Sequence, residues 1–180
     1  MANAMRSGMK KILLLITCCC LVVVTYAEDV PDAELFGGFS YTRGDIDLNM
    51  YGWNASIAGV INPWFSIVGD LSGHYVNIAP DFVEAGLNMH SVAIGPQFSA
   101  RGDSAVGFAR VLIGANRIGG TFANCGGGRF YLAFTAGGGV DIPLNERLAI
   151  RVIQADWVHI RVDEGSLNQA RVSAGLVVRF

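Results

Sequence analysis

Residues 170–180 read ARVSAGLVVRF, and alternate positions differ in kind. Val172, Ala174, Leu176, Val178 and Phe180 fall on one side of an extended chain, and Ser173, Gly175, Val177 and Arg179 on the other. A period of two belongs to a β-strand whose faces meet unlike surroundings. The apolar side continues to Phe180, where a soluble strand would gain nothing from an aromatic ring. Lipid outside and a polar lumen inside would produce this pattern.

Seven further segments repeat it, at 33–42, 53–61, 64–75, 90–100, 107–117, 129–141 and 148–161. In 53–61, Trp53, Ala55, Ile57, Gly59 and Ile61 oppose Asn54, Ser56, Ala58 and Val60. In 64–75, Phe65, Ile67, Leu71 and Tyr75 oppose Ser66, Asp70, Ser72 and His74. The segment 148–161 starts with Ile150 and Val152 outward and Arg151 inward. Gln154 and Asp156 then fall in phase with Ile150, so a β-bulge near Ile153 is expected to restore the alternation.

Short and long connections alternate. "NP", "RGDSAV" and "IPLNER" are short, whereas "RGDIDLNMYG", "VNIAPDFVEAGLNM", "IGGTFANCGGG" and "VDEGSLNQA" are mostly longer. An up-and-down barrel with tight turns at one end and loops at the other has this rhythm. The fold class expected is all-β: an eight-stranded antiparallel up-and-down transmembrane barrel. It fills residues 28–180 and leaves no second domain.

Residues 1–27 are set apart. Arg6, Lys10 and Lys11 precede the apolar "ILLLITCCCLVVV", then "TYA" and an acidic stretch. This is the order of a secretory signal peptide, with cleavage expected after Ala27. The apolar core is short for a spanning helix, which needs roughly 20 residues. Lipidation at Cys18 is disfavoured because Thr17 is bulky for the position before it. Cys18, Cys19 and Cys20 leave with the signal, and Cys125 alone can form no internal disulfide and no cysteine metal site. No metal and no cofactor are expected. The net charge of −2 gives no basis for binding nucleic acid.

A soluble barrel buries apolar residues and exposes polar ones. Here the face opposite the apolar one holds Asp70, Arg110, Asp141 and Arg151, charges costly in a soluble core but able to pair in a polar lumen. These four are expected to form a paired cluster that plugs the barrel. Phe39, Tyr41, Trp53, Trp64, Phe65, Tyr75, Trp157 and Phe180 gather near strand ends, as interfacial girdles do.

The hairpin "INPWFSIVGDLSGHY", the run "GGGVDIPLNERLAIRV" and the final "SAGLVVRF" resemble the OmpA-type eight-stranded outer-membrane barrel domain, and its small stand-alone bacterial relatives in particular. The resemblance covers essentially all of 28–180. It implies an outer-membrane location with both termini periplasmic, and an inward acid facing an inward arginine across the "NER" turn, here Asp141 and Arg151. It also implies that Phe180 is an assembly signal read by the barrel assembly machinery. Outer-membrane lipid and lipopolysaccharide are the other partners implied, and a monomer is expected. The periplasmic domain that often follows such barrels is absent from this sequence, so cell-wall anchoring is not carried over.

Other motifs are weaker. "RGD" at 101–103 reads as a turn rather than an adhesion signal. Asn54-Ala55-Ser56 is a glycosylation sequon in letters only. "ANCGGGR" lacks the helix a phosphate loop needs. Asp70, Ser72 and His74 share one face of one strand and are the candidates for an envelope-lipid enzyme. Same-face neighbours stand roughly 6–7 Å apart, too far for a nucleophile and its base. His90 and His159 make no metal-ligand spacing with His74. A structural, surface-presenting and non-enzymatic barrel is therefore expected, with the enzyme and a narrow ion or water path as alternatives.

Overall fold

The computed structural model describes residues 31–45, 48–78, 85–122, 125–163 and 165–180; the side chains of 77, 78, 85, 121, 122 and 125–127 fall outside the description. The expected signal peptide and its cleavage after Ala27 lie outside the described residues. Within them, eight strands follow one another: β1 Ala33–Gly44, β2 Asn49–Asn62, β3 Phe65–Ile78, β4 Ala85–Arg101, β5 Val106–Phe122, β6 Cys125–Pro143, β7 Leu148–Val162 and β8 Gly165–Arg179. Each pairs antiparallel with the next, and β8 returns to β1 from Glu34↔Arg179 to Gly44↔Gln169. Phe180 extends that seam, its N–H donating to Ala33 O at 2.9 Å and its own carbonyl accepting from Asp32 N at 2.8 Å. A closed ladder has no unpaired edge, which is the condition for strands to cross hydrocarbon.

Alternation turns this barrel inside out relative to a soluble protein. Phe39, Ile57 and Val111 are each 59% exposed on the outer face, while Asp70 and Arg110 are 1% exposed inside. An eight-stranded barrel is just wide enough for its side chains to fill. Here they divide into polar layers and three apolar clusters: Met50, Met89, Ala133, Val158 and Ile160; Ala58, Val68, Ala93 and Leu112; and Phe36, Ala149 and Val177.

β7 carries the bulge. Arg151 pairs with Asp141 and Gly175, and the next residue paired to β8 is Gln154, opposite Ser173. Val152 and Ile153 both face outward. Two successive outward residues shift the parity, and Gln154, Asp156, Val158 and Ile160 all turn into the lumen.

The turns at one end are tight and held by local side chains. Asn62 Oδ1 accepts from Trp64 N at 3.1 Å, and Asn145 Oδ1 accepts from the amides of Arg147 and Leu148 at 2.9 and 2.8 Å. At the RGD turn, Gly102 N donates to Ala105 O, and the Arg101 side chain folds back to Glu34 Oε1 and Pro63 O, each at 3.1 Å. Its arginine is structural.

The opposite end corrects the expected loops. The strands run on through most of what reads as loop, so only 45–48, 79–84, 123–124 and 163–164 separate them. The expected surface loop from Val76 to Met89 is mainly sheet: Val76 and Leu87 are Cα partners. β5 has 17 residues and β6 has 19, well beyond the roughly 9–11 that a membrane crossing needs. Hydrogen bonding to a neighbour, which alternation alone does not report, continues wherever both chains stay extended.

Outward aromatics form two bands. Trp64, Phe65 and Phe98 pack with ring centroids 5.4–6.1 Å apart near the tight turns. Tyr41 and Tyr51, 5.3 Å apart, Tyr75 against His90 and Trp157 against His159 mark the other end. Phe65 and Tyr75 are ten residues apart on β3. At about 3.3 Å per residue and about 40° of tilt, that separates the bands by about 25 Å, the height of an outer-membrane apolar belt.

The bulge makes a prediction. Deleting Val152 removes the extra residue and leaves Gln154 and Asp156 inward, so the barrel should still form, within about 1 kcal/mol of the parent, as expected away from strained or buried features. Deleting Val172 from unbulged β8 should abolish folding, since it turns one arm of the strand over. Electrophoretic migration before and after boiling distinguishes the two. Equal damage from both deletions would show that β7 needs its bulge for more than parity.

Candidate functional site

The central charges of the lumen form one connected network. Asp156 on β7 receives Arg110 Nε and Nη2 from β5 at 3.1 and 2.8 Å, and Arg171 Nε and Nη2 from β8 at 3.1 and 2.9 Å. Asp70 on β3 completes a quartet, its oxygens 3.0 Å from Arg110 Nη2 and 3.0 Å from Arg171 Nη1. Two acids and two bases, each at most 4% exposed, alternate around a closed ring of ion pairs.

Asp141 and Arg151 form a second, bidentate pair at 2.8 and 2.9 Å. The Arg151 guanidinium lies between the rings of Phe36 and Phe108, 4.4 and 4.2 Å from their centroids. Aromatic faces on both sides favour a cation and exclude water. Gln154 joins the two groups, accepting from Arg151 Nη1 at 2.7 Å and donating to Asp156 Oδ2 at 2.9 Å and Asn54 Oδ1 at 3.0 Å. Asn54, the sequon residue, is thus buried and donates on to Asp70 Oδ2 at 3.0 Å. Nearer the tight turns, Glu34 lies 3.1 Å from Arg101 and 3.5 Å from Arg179.

No protein-family model matches the chain, and no curated protein matches it. Solved structures do. The Ail attachment invasion locus protein of Yersinia pestis, solved in complex with the heparin analogue sucrose octasulfate, superposes with a TM-score of 0.61 at 16% identity, over 82% of this chain and 99% of that one. Neisserial surface protein A gives a TM-score of 0.61 at 12% identity, over 82% and 96%. The N-terminal β-barrel domain of Pseudomonas aeruginosa OprF gives 0.52 at 13% identity, over 83% and 98%. The fold is that of the small eight-stranded outer-membrane barrels.

In this outer-membrane-type barrel the four charges singled out from the sequence divide into two groups. Asp70 and Arg110 sit in the quartet, and Asp141 and Arg151 make the separate pair, bridged to it by Gln154. Sequence reading missed Asp156 and Arg171. Asp156 is in phase with the lipid face until the bulge is placed, and Arg171 stands two positions before Ser173, on the inward parity of β8.

Asp70, Ser72 and His74 do not assemble as a catalytic set. Ser72 Oγ accepts from Arg171 Nη1 at 3.0 Å, and Asp70 is held by the two arginines. His74 Nε2 instead lies 2.9 Å from Ser40 Oγ, which accepts from Ser173 Oγ at 2.9 Å. The other ring nitrogen of His74 has no hydrogen-bond partner, so no carboxylate orients the imidazole as a base would require. Among the described residues, no cluster of three or more His, Cys, Asp or Glu could hold a metal ion.

Removing one member of a buried pair strands the other, at a cost of about 3–5 kcal/mol. Arg171→Met should approach that figure because it leaves Asp70 and Asp156 to share Arg110 alone, with one buried negative charge uncompensated. Arg151→Ala and Asp141→Ala should each destabilise, with a non-additive coupling of about 1–3 kcal/mol between them. Denaturant unfolding of the refolded barrel measures all three. Additive single changes at 141 and 151 would mean that the pair carries no net interaction.

Proposed function

We propose that the chain is an integral protein of the bacterial outer membrane, non-enzymatic, with its lumen closed by ion pairs. The observation that carries this reading is the inversion of the barrel. An apolar outer belt between two aromatic bands encloses buried, mutually paired charges. The fold shared with outer-membrane barrels supports the location. The continuous hydrogen-bonded network and the cluster around Met50 and Met89 leave side chains where a channel would need open space. The hydroxyl–imidazole contact of Ser40 and His74 is sealed inside, both residues being at most 1% exposed.

The tight turns face the periplasm, and the extended ends of β3 to β6 stand on the outer side as a wall of sheet. Outward-facing Arg117 and Arg161 at that end are exposed, with no ion pair among the described residues, and suit the phosphates of lipopolysaccharide. Phe180, 71% exposed at the closing seam, is the terminal aromatic offered to the barrel assembly machinery. One barrel encloses every inward charge, so a monomer is sufficient.

Outer-membrane insertion makes Ile113, 49% exposed on the belt, a lipid-facing residue. Ile113→Arg should cost about 2–4 kcal/mol in a bilayer, as for arginine near the midplane. The protein should fractionate with the outer membrane and pass little current in planar bilayers. Recovery as a soluble periplasmic protein, or a large stable pore, would overturn the proposal.

Orientation is tested separately in a Cys125→Ser background. A cysteine placed at Asp81 should react with a membrane-impermeant thiol reagent on whole cells, and one placed at Asp103 should not. The reverse labelling would invert the barrel.

A further inference from the structure

We propose that the outer half of the lumen holds a soft monovalent metal ion, copper(I), on the thioethers of Met50 and Met89 and the imidazole of His74. Residues 28–180 contain two methionines, and both face inward in one packed cluster, each 4% exposed. Of the three histidines, His90 and His159 stack on outer aromatics, and His74 alone points into the lumen. His74 is the Cα partner of Met89 on β4 and of Gly52 on β2, and Met50 lies two residues from Gly52. The three candidate ligands therefore come from adjacent strands at one level, next to the ion quartet.

The polar groups there are prepared rather than satisfied. His74 is 1% exposed and its Nδ1 has no hydrogen-bond partner, although Nε2 is held by Ser40, itself held by Ser173. In the tautomer whose Nε2–H donates to Ser40, Nδ1 presents a lone pair, and a contact at the other ring nitrogen is how a metal-ligating histidine is commonly held. Gln169 reaches across from β8, its Nε2 donating to Met89 Sδ at 3.3 Å, while its Oε1 is buried without a partner. Thr42 Oγ1 is buried without a partner as well. Thioether and imidazole are neutral, soft to borderline donors that select copper(I) over zinc or calcium. Neutral ligands also keep the added charge to one in a lumen whose ion pairs already cancel. A cavity of about 530 Å³ at the outer mouth is lined by Ile118, Arg129, Tyr131, Val162 and Leu167, and four of these pack directly on the methionine cluster. Entry is thus from the mouth opposite the tight turns.

Silver(I) serves as a redox-inert probe, added as the nitrate to the refolded barrel in chloride-free detergent buffer. Cys125→Ser is the parent, because a thiol would bind silver by itself. With the two methionine methyls labelled with carbon-13, both resonances should shift on addition of one equivalent, and binding should saturate at one ion per barrel. The double variant Met50→Leu with Met89→Leu keeps the volume and should fold, as migration before and after boiling checks. It should lose silver binding at least tenfold. His74→Phe should weaken binding while leaving some methyl shift. Unmoved methyl resonances, or equal silver affinity in the folded double variant, would overturn the site. So would zinc binding that the double variant retains without any preference for silver, which would assign the site to the imidazole and the orphan oxygens instead of the thioethers.

Discussion

Five N–H donors converge on the carboxylate of Asp156: two from Arg110, two from Arg171 and one from Gln154. A carboxylate at 4% exposure is tolerable only under such neutralisation. Most of the inner surface is arranged around it. Asp70 balances the second arginine charge, Asn54 and Gln154 tie the ring to its neighbours, and the β7 bulge is what turns Asp156 inward. Because the donors arrive from β5, β7 and β8, the ring also holds distant parts of the wall at one diameter. It is a cross-brace as much as a plug.

The outer surface obeys a separate rule. Lipid offers no hydrogen bonds, so every backbone group there must pair within the wall, and closure of β8 on β1 achieves this. The side chains outside then need only be apolar, which explains how outer faces as different as Ile57-Gly59-Ile61 and Phe134-Ala136-Gly138 serve equally well. Specificity has moved inside, where every buried charge among the described residues has a named partner.

That division sets how much could be read from the letters. Period two survives in a sequence, so eight strands and their inward faces were legible, down to Asp70 and Arg110. Pairing across the lumen is not periodic. Nothing in the order of residues joins Arg171 to Asp70, 101 positions away, and the partner of Asp156 depends on a one-residue bulge that reverses its apparent face. Asp141 and Arg151 were easier because one tight turn separates them. Strand length is hidden for another reason. Glycine-rich stretches such as Cys125–Gly128 read as loop by composition, yet opposite Gly119–Phe122 they complete a ladder whose stability comes from the neighbour.

The overlong strands have a consequence for how such a surface could change over generations. A barrel crowned by flexible loops can gain and lose segments there freely, since a tip carries few constraints. Here the widest gap between strands at that end, 79–84, is six residues, and the other three, 45–48, 123–124 and 163–164, are four, two and two. An inserted residue within the rim would turn neighbouring side chains over or demand a new bulge. Variation in what this protein shows its surroundings is therefore channelled into side-chain replacement on a fixed lattice, with insertions confined to the few short gaps between strands.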